Sequence, residues 1–335
     1  MTGWLSWLAG PYVHHIDPVM FEVAGVYFWY YGLSYSLGFL GVHWWLRRAR
    51  GRLGLSTAEV YDLTISVALG VLVTSRLFEV AFYEWPYYRR HPLEIFNYWQ
   101  GGLSSHGILL GAVLAAWWFC RRRGKGFLAV ADELTIPGAL LLAVGRLGNF
   151  VDGQIIGSVT DVWWAVKFPD AEGFRHPVVL YDGLKNLLII PILILARRQA
   201  PAGRGGLLAH FVFWYGALRL VVDHFRQYPV AILGVGTGQY FNLAMLVGGL
   251  ALLVWERRRG AAPAPATPAD ARVVPAPSAD DRRRGALLVR RMALAVLVAF
   301  PLVIPSDWTQ DVPERYGKRH PIRHSLLYRS LDPDH

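Results

Sequence analysis

PGALLLAVGRLGNFVDGQIIG, residues 137–157, runs from an uncharged apolar stretch straight into an arginine, an asparagine and an aspartate set among glycines. The apolar half reads as a membrane helix, about 130–148, and the polar half as its exit into the headgroup region. An ionisable group at that depth is costly unless it is paired or faces a watery cavity, so it points to a functional site. Gly145, Gly148, Gly153 and Gly157 permit tight turns and close backbone approach. Arg146 offers a planar fork of donors suited to phosphate oxygens, and Asn149 an uncharged donor. A snorkelling arginine at a helix end is the plainer reading of Arg146.

The rest of the chain supports a membrane setting. Of its 335 residues 54% are hydrophobic and only 17% charged, against about 25% in soluble domains. Further apolar stretches, long enough for a hydrocarbon core of about 30 Å, lie near 25–46, 60–83, 103–120, 177–196, 206–224 and 240–255. The expected fold is an all-α polytopic membrane protein: a seven-helix transmembrane bundle with a small periplasmic insertion at about 151–176. Within that insertion VWWAVKF predicts a short strand.

The net charge of +10 is distributed as short clusters: RRARGR (47–52), RRRGK (121–125), RRQAPAGR (197–204), ERRR (256–259), and RRR with RR (282–284, 290–291). Each ends an apolar segment or joins two, the positive-inside pattern, which places those loops in the cytoplasm. No continuous basic face forms, so no nucleic-acid partner is expected. Seven spans starting from an outside N-terminus leave residue 256 inside, where ERRR stands. The N-terminal segment, with Trp4 and Trp7, reads as interfacial.

Residues 257–285 are Ala/Pro-rich and read as a linker. Beyond them, 286–335 hold a possible eighth hydrophobic segment, about 287–304, and a polar tail. Arg290 and Arg291 cut the apolar part of that segment to about 14 residues, in the re-entrant or interfacial range. The single cysteine, Cys120, excludes an intrachain disulfide or a thiolate metal site, and reads as a small apolar residue. No long internal repeat argues for an inverted-repeat transporter.

Other polar groups enter the spans. SSHG (104–107) opens the third; His106 reads as a general base, a phosphate donor or a structural helix-start residue. YGALRLVVDHFR (215–226) places Arg219 and Asp223 at i, i+4, a spacing that pairs them on one helix face. Tyr30-Tyr31-Gly32 lies in the first span, and RHPVVLYDG (175–183) carries Asp182 into the fifth. By the expected topology these groups share one depth toward the outer leaflet, where two arginines, a histidine and an asparagine make a pocket for an anionic phosphate.

In this order and spacing, YYGLSYSLGF, RLFEVAFYEWPYY, GGLSSHGILLG, GRLGNFVDGQIIG, RHPVVLYD and YGALRLVVDHFR resemble the prolipoprotein diacylglyceryl transferase family, over about residues 16–256. The resemblance implies a bacterial inner-membrane enzyme with its active site toward the periplasm. It implies transfer of diacylglyceryl from phosphatidylglycerol to the lipobox cysteine thiol of a prolipoprotein, with release of glycerol phosphate and no metal or cofactor. Its partners are phosphatidylglycerol, the signal-peptide and lipobox segment, and membrane lipids. Carried over by position, the implied catalytic residues are His106, Arg146, Arg219 and Tyr31. The implied substrate-binding residues are Asn149, Gly157, Tyr215, Asp223 and Gln154. A diverged paralogue with another acceptor and a non-catalytic phospholipid-binding protein are the alternatives. The sequence departs from the family pattern at Gln154, where a glutamate is usual, at Asp223, also usually glutamate, and at Ser75, commonly glycine.

Overall fold

The computed structural model describes residues 11–169, 171–199, 203–227, 231–232, 235–259 and 284–306. Eight long helices are formed among them. They are α1 (Tyr30–Leu53), α2 (Thr57–Phe82), α3 (Ser105–Arg123), α4 (Phe127–Val151), α5 (Val178–Gln199), α6 (Gly206–Asp223), α7 (Thr237–Arg258) and α8 (Arg284–Ala299). The first seven stand where the seven spans are expected. Five of them, α2 and α4 to α7, are long and apolar enough to cross a membrane, as is α8 with the 3-10 turn that extends it. The other two have the length, 24 and 19 residues, but carry more polar side chains. The protein is an all-α polytopic membrane protein.

Local chemistry fixes the helix ends. Ser56 accepts from Glu59 N at 3.2 Å while the Glu59 carboxylate accepts from Ser56 N at 2.8 Å, a capping box that starts α2. Gly54, at φ +60°, closes α1 in the left-handed conformation, and its N–H reaches back to the last turn. The first span begins later than the apolar run suggests. Val26–Trp29 (β3) pairs with Val19–Val23 (β2) as an antiparallel hairpin, and the helix starts only at Tyr30.

The helices pack α2 on α3, α6 on α7, α1 on α4 and α4 on α5. One core joins Tyr35, Phe39 and Leu46 of α1 to Leu63, Val67 and Val71 of α2 and Phe119 of α3. Cys120 is a buried free thiol of that core. A second core gathers Ile136 and Leu142 of α4 with Ile189 and Leu193 of α5 and Phe211 and Tyr215 of α6.

Two regions differ from expectation. The insertion strand is only Val166–Lys167 (β4), paired in parallel with Tyr12–Val13 (β1); the tryptophans of VWWAVKF lie outside it, exposed at Trp163 and Trp164. The eighth segment is a continuous helix despite its arginines. Arg290 Nε reaches Asp62 Oδ1 of α2 at 2.7 Å, a carboxylate it shares with Arg123, so it is held by an ion pair within the bundle. The turn that follows, Phe300–Val303, packs on α1 and β3. Most of the expected linker 257–285, the polar tail past 306, and Trp4 with Trp7 lie outside the described residues.

Candidate functional site

Arg146 belongs to the last turns of α4, and glycines let its neighbours close around it. A side chain at Gly148 would come within 2.8 Å of Tyr31 Cα, so that helix crossing needs the bare backbone, and one at Gly183 would press within 3.3 Å of Arg146 Cβ. The helix ends at Asp152, and Gly153 turns away at φ +68° with its N–H on Phe150 O at 3.0 Å. Ile155 follows at φ +59°, a conformation a β-branched residue adopts only under constraint.

Asp182, 1% exposed on α5, is the hub of the site. Its Oδ2 accepts from Arg146 Nε and from Arg219 Nη1, and its Oδ1 lies 2.9 Å from Lys185 Nζ. Arg146 also donates through Nη1 to Asn149 Oδ1 at 2.9 Å. Arg219 pairs in turn with Asp223 Oδ1 at 3.0 Å, as the i, i+4 spacing predicts. Lys185 Nζ sits 3.5 Å from the ring centroid of Tyr215, a cation over an aromatic face. Three cations and two carboxylates thus form one ion-paired cluster, which carries one positive charge in excess.

Beside the cluster lies a pocket lined by Tyr31 and Tyr35 of α1, Ser105 and Ile108 of α3, and Leu141, Arg146 and Asn149 of α4. The Tyr31 and Tyr35 hydroxyls are 2.8 Å apart on its wall. Apolar side chains, two tyrosines and one arginine thus meet at this pocket.

His106 joins the cluster from the opposite side. It lies in the first turn of α3, against the touching rings of Phe78 and Phe241. Its Nε2 is 3.1 Å from Asn242 Oδ1, and Asn242 Nδ2 donates to Asp223 Oδ2 at 2.7 Å. One hydrogen-bonded chain therefore runs from His106 through Asn242, Asp223, Arg219, Asp182 and Arg146 to Asn149.

Of the nine sequence-predicted residues, His106, Arg146, Asn149, Arg219 and Asp223 are linked in this chain. Tyr215 touches it through Lys185, and Tyr31 shares the pocket with Arg146. Two stand apart. Gln154 lies in the turn after α4, its backbone N–H on Asn149 O at 3.0 Å. Gly157 carries no hydrogen bond to the cluster; its Cα faces the His176 carbonyl and Val178, with no room for a side chain. Its place in the fold is to seat the insertion against the entry to α5.

Sequence reading missed Lys185 and Asn242 and gave Asp182 no role. Lys185 stands one turn after Asp182 on the same helix, a spacing that was available as a signal. Asn242 has no such signal, because its partners come from two other helices. Arg76 is a further buried arginine, but it donates to main-chain oxygens of Ile95, Gly101 and Glu94 and pins the loop leading to His106.

Comparison with known proteins gives one consistent result. Residues 18–255 match the family described as prolipoprotein diacylglyceryl transferase. The chain is 39% identical over 259 residues to the phosphatidylglycerol–prolipoprotein diacylglyceryl transferase of Geobacter sulfurreducens, covering 74% of this chain and 98% of that one. The Legionella pneumophila protein of the same name is 38% identical, covering 73% and 98%. That of Aliivibrio salmonicida is 36% identical, covering 73% and 89%. The matched region ends before α8.

Proposed function

Because the chain belongs to the prolipoprotein diacylglyceryl transferase family, we propose that it moves the diacylglyceryl group of phosphatidylglycerol onto the lipobox cysteine thiol of a prolipoprotein, releasing glycerol phosphate. The observation that carries this reading is the pair of buried arginines brought together on Asp182, one of which, Arg146, lines the pocket among apolar and tyrosine side chains. A phosphodiester brings one negative charge, which the two arginines are placed to meet.

The residues divide the work. Arg146 and Arg219 are brought side by side by one oxygen of Asp182, and two guanidinium groups held together in this way suit the oxygens of a phosphate. When the bond from the diacylglyceryl carbon to the phosphate oxygen breaks, the electron pair goes to that oxygen, and these donors stabilise it as it leaves. Asn149 orients Arg146. His106 takes the thiol proton: a free thiol has a pKa near about 8.5, and attack requires the thiolate. Tyr31 and Tyr215 wall the headgroup and the cation cluster.

The reading extends to the rest of the chain. Residues 1–256 form the transferase unit with its insertion at 151–176, and 257–285 link it to an accessory segment at 286–335. The basic clusters at 47–52, 121–125 and 256–259 favour a cytoplasmic end opposite the site. The site then opens toward the periplasmic face of a bacterial inner membrane, where signal peptides and phosphatidylglycerol meet it.

Arg146→Ala and Arg219→Ala test the assignment. Each variant, folded and reconstituted in phosphatidylglycerol vesicles, is expected to lose transfer to a lipobox peptide. Full activity in either variant contradicts the phosphate pocket.

A further inference from the structure

The hydrogen bonds around Asn242 run in one direction. Its side chain is fully buried, between Asp223 and His106. Asp223, paired with Arg219 at 3.0 Å, is an ionised carboxylate and only accepts. The amide nitrogen of Asn242 therefore faces Asp223, and the amide oxygen faces His106. A ring nitrogen 3.1 Å from an acceptor oxygen must itself carry the hydrogen. His106 is thereby the Nε2–H tautomer, with its lone pair on Nδ1. The Tyr83 hydroxyl lies 3.3 Å from Nδ1 and marks the side on which that lone pair is presented, so a thiol reaches the lone pair by taking the place of the tyrosine hydrogen.

We propose that Asn242 is a positioning residue: it locks His106 as the Nε2–H tautomer, so that Nδ1, on the Tyr83 side, is the nitrogen that receives the thiol proton. The tautomer stands on the geometry alone, and the proton transfer rests on the transferase reading. In that step the S–H bond breaks, the proton passes to Nδ1 and the electron pair stays on sulfur. The sulfur pair forms the bond to the diacylglyceryl carbon while the carbon–oxygen bond breaks toward phosphate. The imidazolium keeps its Nε2–H on Asn242, whose other end rests on Asp223, and afterwards returns its proton to the departing phosphate. Asp223 is a short carboxylate that does not itself contact His106; Asn242 spans the interval.

Ring-nitrogen NMR of nitrogen-labelled histidine in the purified, detergent-solubilised full chain tests the lock, with the His106 signal assigned by its loss in His106→Gln. The wild type is expected to show a protonated Nε2 and an unprotonated Nδ1. Asn242→Asp shares one proton with Asp223 at the 2.7 Å contact, still offers His106 an oxygen acceptor, and is expected to keep Nε2 protonated. Asn242→Leu offers none and is expected to give a mixture of tautomers. Its kcat is expected to fall by about 10²-fold, in line with the roughly 10²–10⁴-fold worth of a positioned base, with KM for phosphatidylglycerol little changed. A wild-type signal protonated at Nδ1 overturns the proposal. So does Asn242→Leu with unchanged tautomer and kcat, and so does a loss confined to KM, which makes His106 a phosphate ligand. If Asn242→Leu does not fold, the wild type and Asn242→Asp still decide the tautomer. The expected tautomer in a protein that transfers nothing upholds the lock and removes the transferase reading instead.

Discussion

Arg146, at the end of α4, donates its Nε hydrogen to the carboxylate of Asp182, in the second turn of α5. The same carboxylate oxygen also holds Arg219, so one buried acid sets the angle between the two guanidinium groups. Asp182→Asn leaves three cations around a neutral amide. Removing one partner of a buried ion pair costs about 3–5 kcal/mol, and a loss of that size is expected in denaturant unfolding, together with loss of transfer. The double variant Asp182→Asn, Lys185→Met returns the cluster to one excess positive charge and is expected to recover part of the stability but not the activity. A double-mutant cycle showing additive losses contradicts the shared cluster.

Arginine and lysine are expected to differ sharply here. Arg146 uses Nε for Asp182 and Nη1 for Asn149, a division of labour that needs the planar fork. Arg146→Lys keeps the charge and is still expected to reduce kcat/KM by about 10²-fold, the scale seen when a transition-state donor is removed. Thermal stability should change little by comparison. An active lysine variant means that charge alone suffices.

Gly32 records the docking of the C-terminal segment onto α1. A Cβ there would strike the carbonyl of Pro301, and Ser36 Oγ donates to Val298 O at 2.6 Å one turn later. Gly32→Val is expected to displace the Phe300–Val303 turn and cost about 1–3 kcal/mol, as overpacking does. Protease susceptibility between residues 284 and 306 should rise in parallel. An unchanged digestion pattern argues against this seat.

Gln154 stands where the resemblance in the sequence implies a glutamate. Its backbone N–H is tied to Asn149 O at 3.0 Å, which fixes the turn directly after the residue that orients Arg146. Gln154→Glu is expected to raise transfer to a lipobox peptide severalfold in a steady-state assay. No change shows that the position has lost that role in this chain.

His14 links the insertion to the bundle and carries a pH signature. It lies in the loop before β2, donates Nε2–H to Phe150 O at 2.7 Å and packs on Phe150 and Phe168. Burial pushes its pKa below the ordinary 6.5; the bond to Phe150 opposes this, and His15 adds to it. The unfolded chain therefore binds the proton first as pH falls through 6.5, and stability is lost below that value until the folded form protonates. Thermal unfolding of the wild type is expected to steepen with acid relative to His14→Gln, which keeps a donor but does not titrate. Parallel curves between about pH 5 and 7 remove His14 from the acid response.

Helix positions were legible because each follows from a long apolar run with charged ends, and Arg219 with Asp223 because both lie on one helix. Boundaries failed where a local alternative competed. Gly25 belongs to a hairpin turn, at φ +78°, so an apolar run that looked continuous is a strand and then a helix. The charge of Arg290 argued against a full eighth helix until its partner Asp62, far away in sequence, was in place. Asn242 was invisible for the same reason: its importance lies between His106 and Asp223, and no spacing in the chain announces it.

The central claim is most directly tested with the purified full chain in phosphatidylglycerol liposomes and a lipobox-bearing peptide, following glycerol phosphate release and peptide mass together. The account requires stoichiometric release and a diacylglyceryl mass gain on the cysteine, both absent in Arg146→Ala. Folded protein that binds phosphatidylglycerol and yields neither product contradicts it, and directs the search to another acceptor.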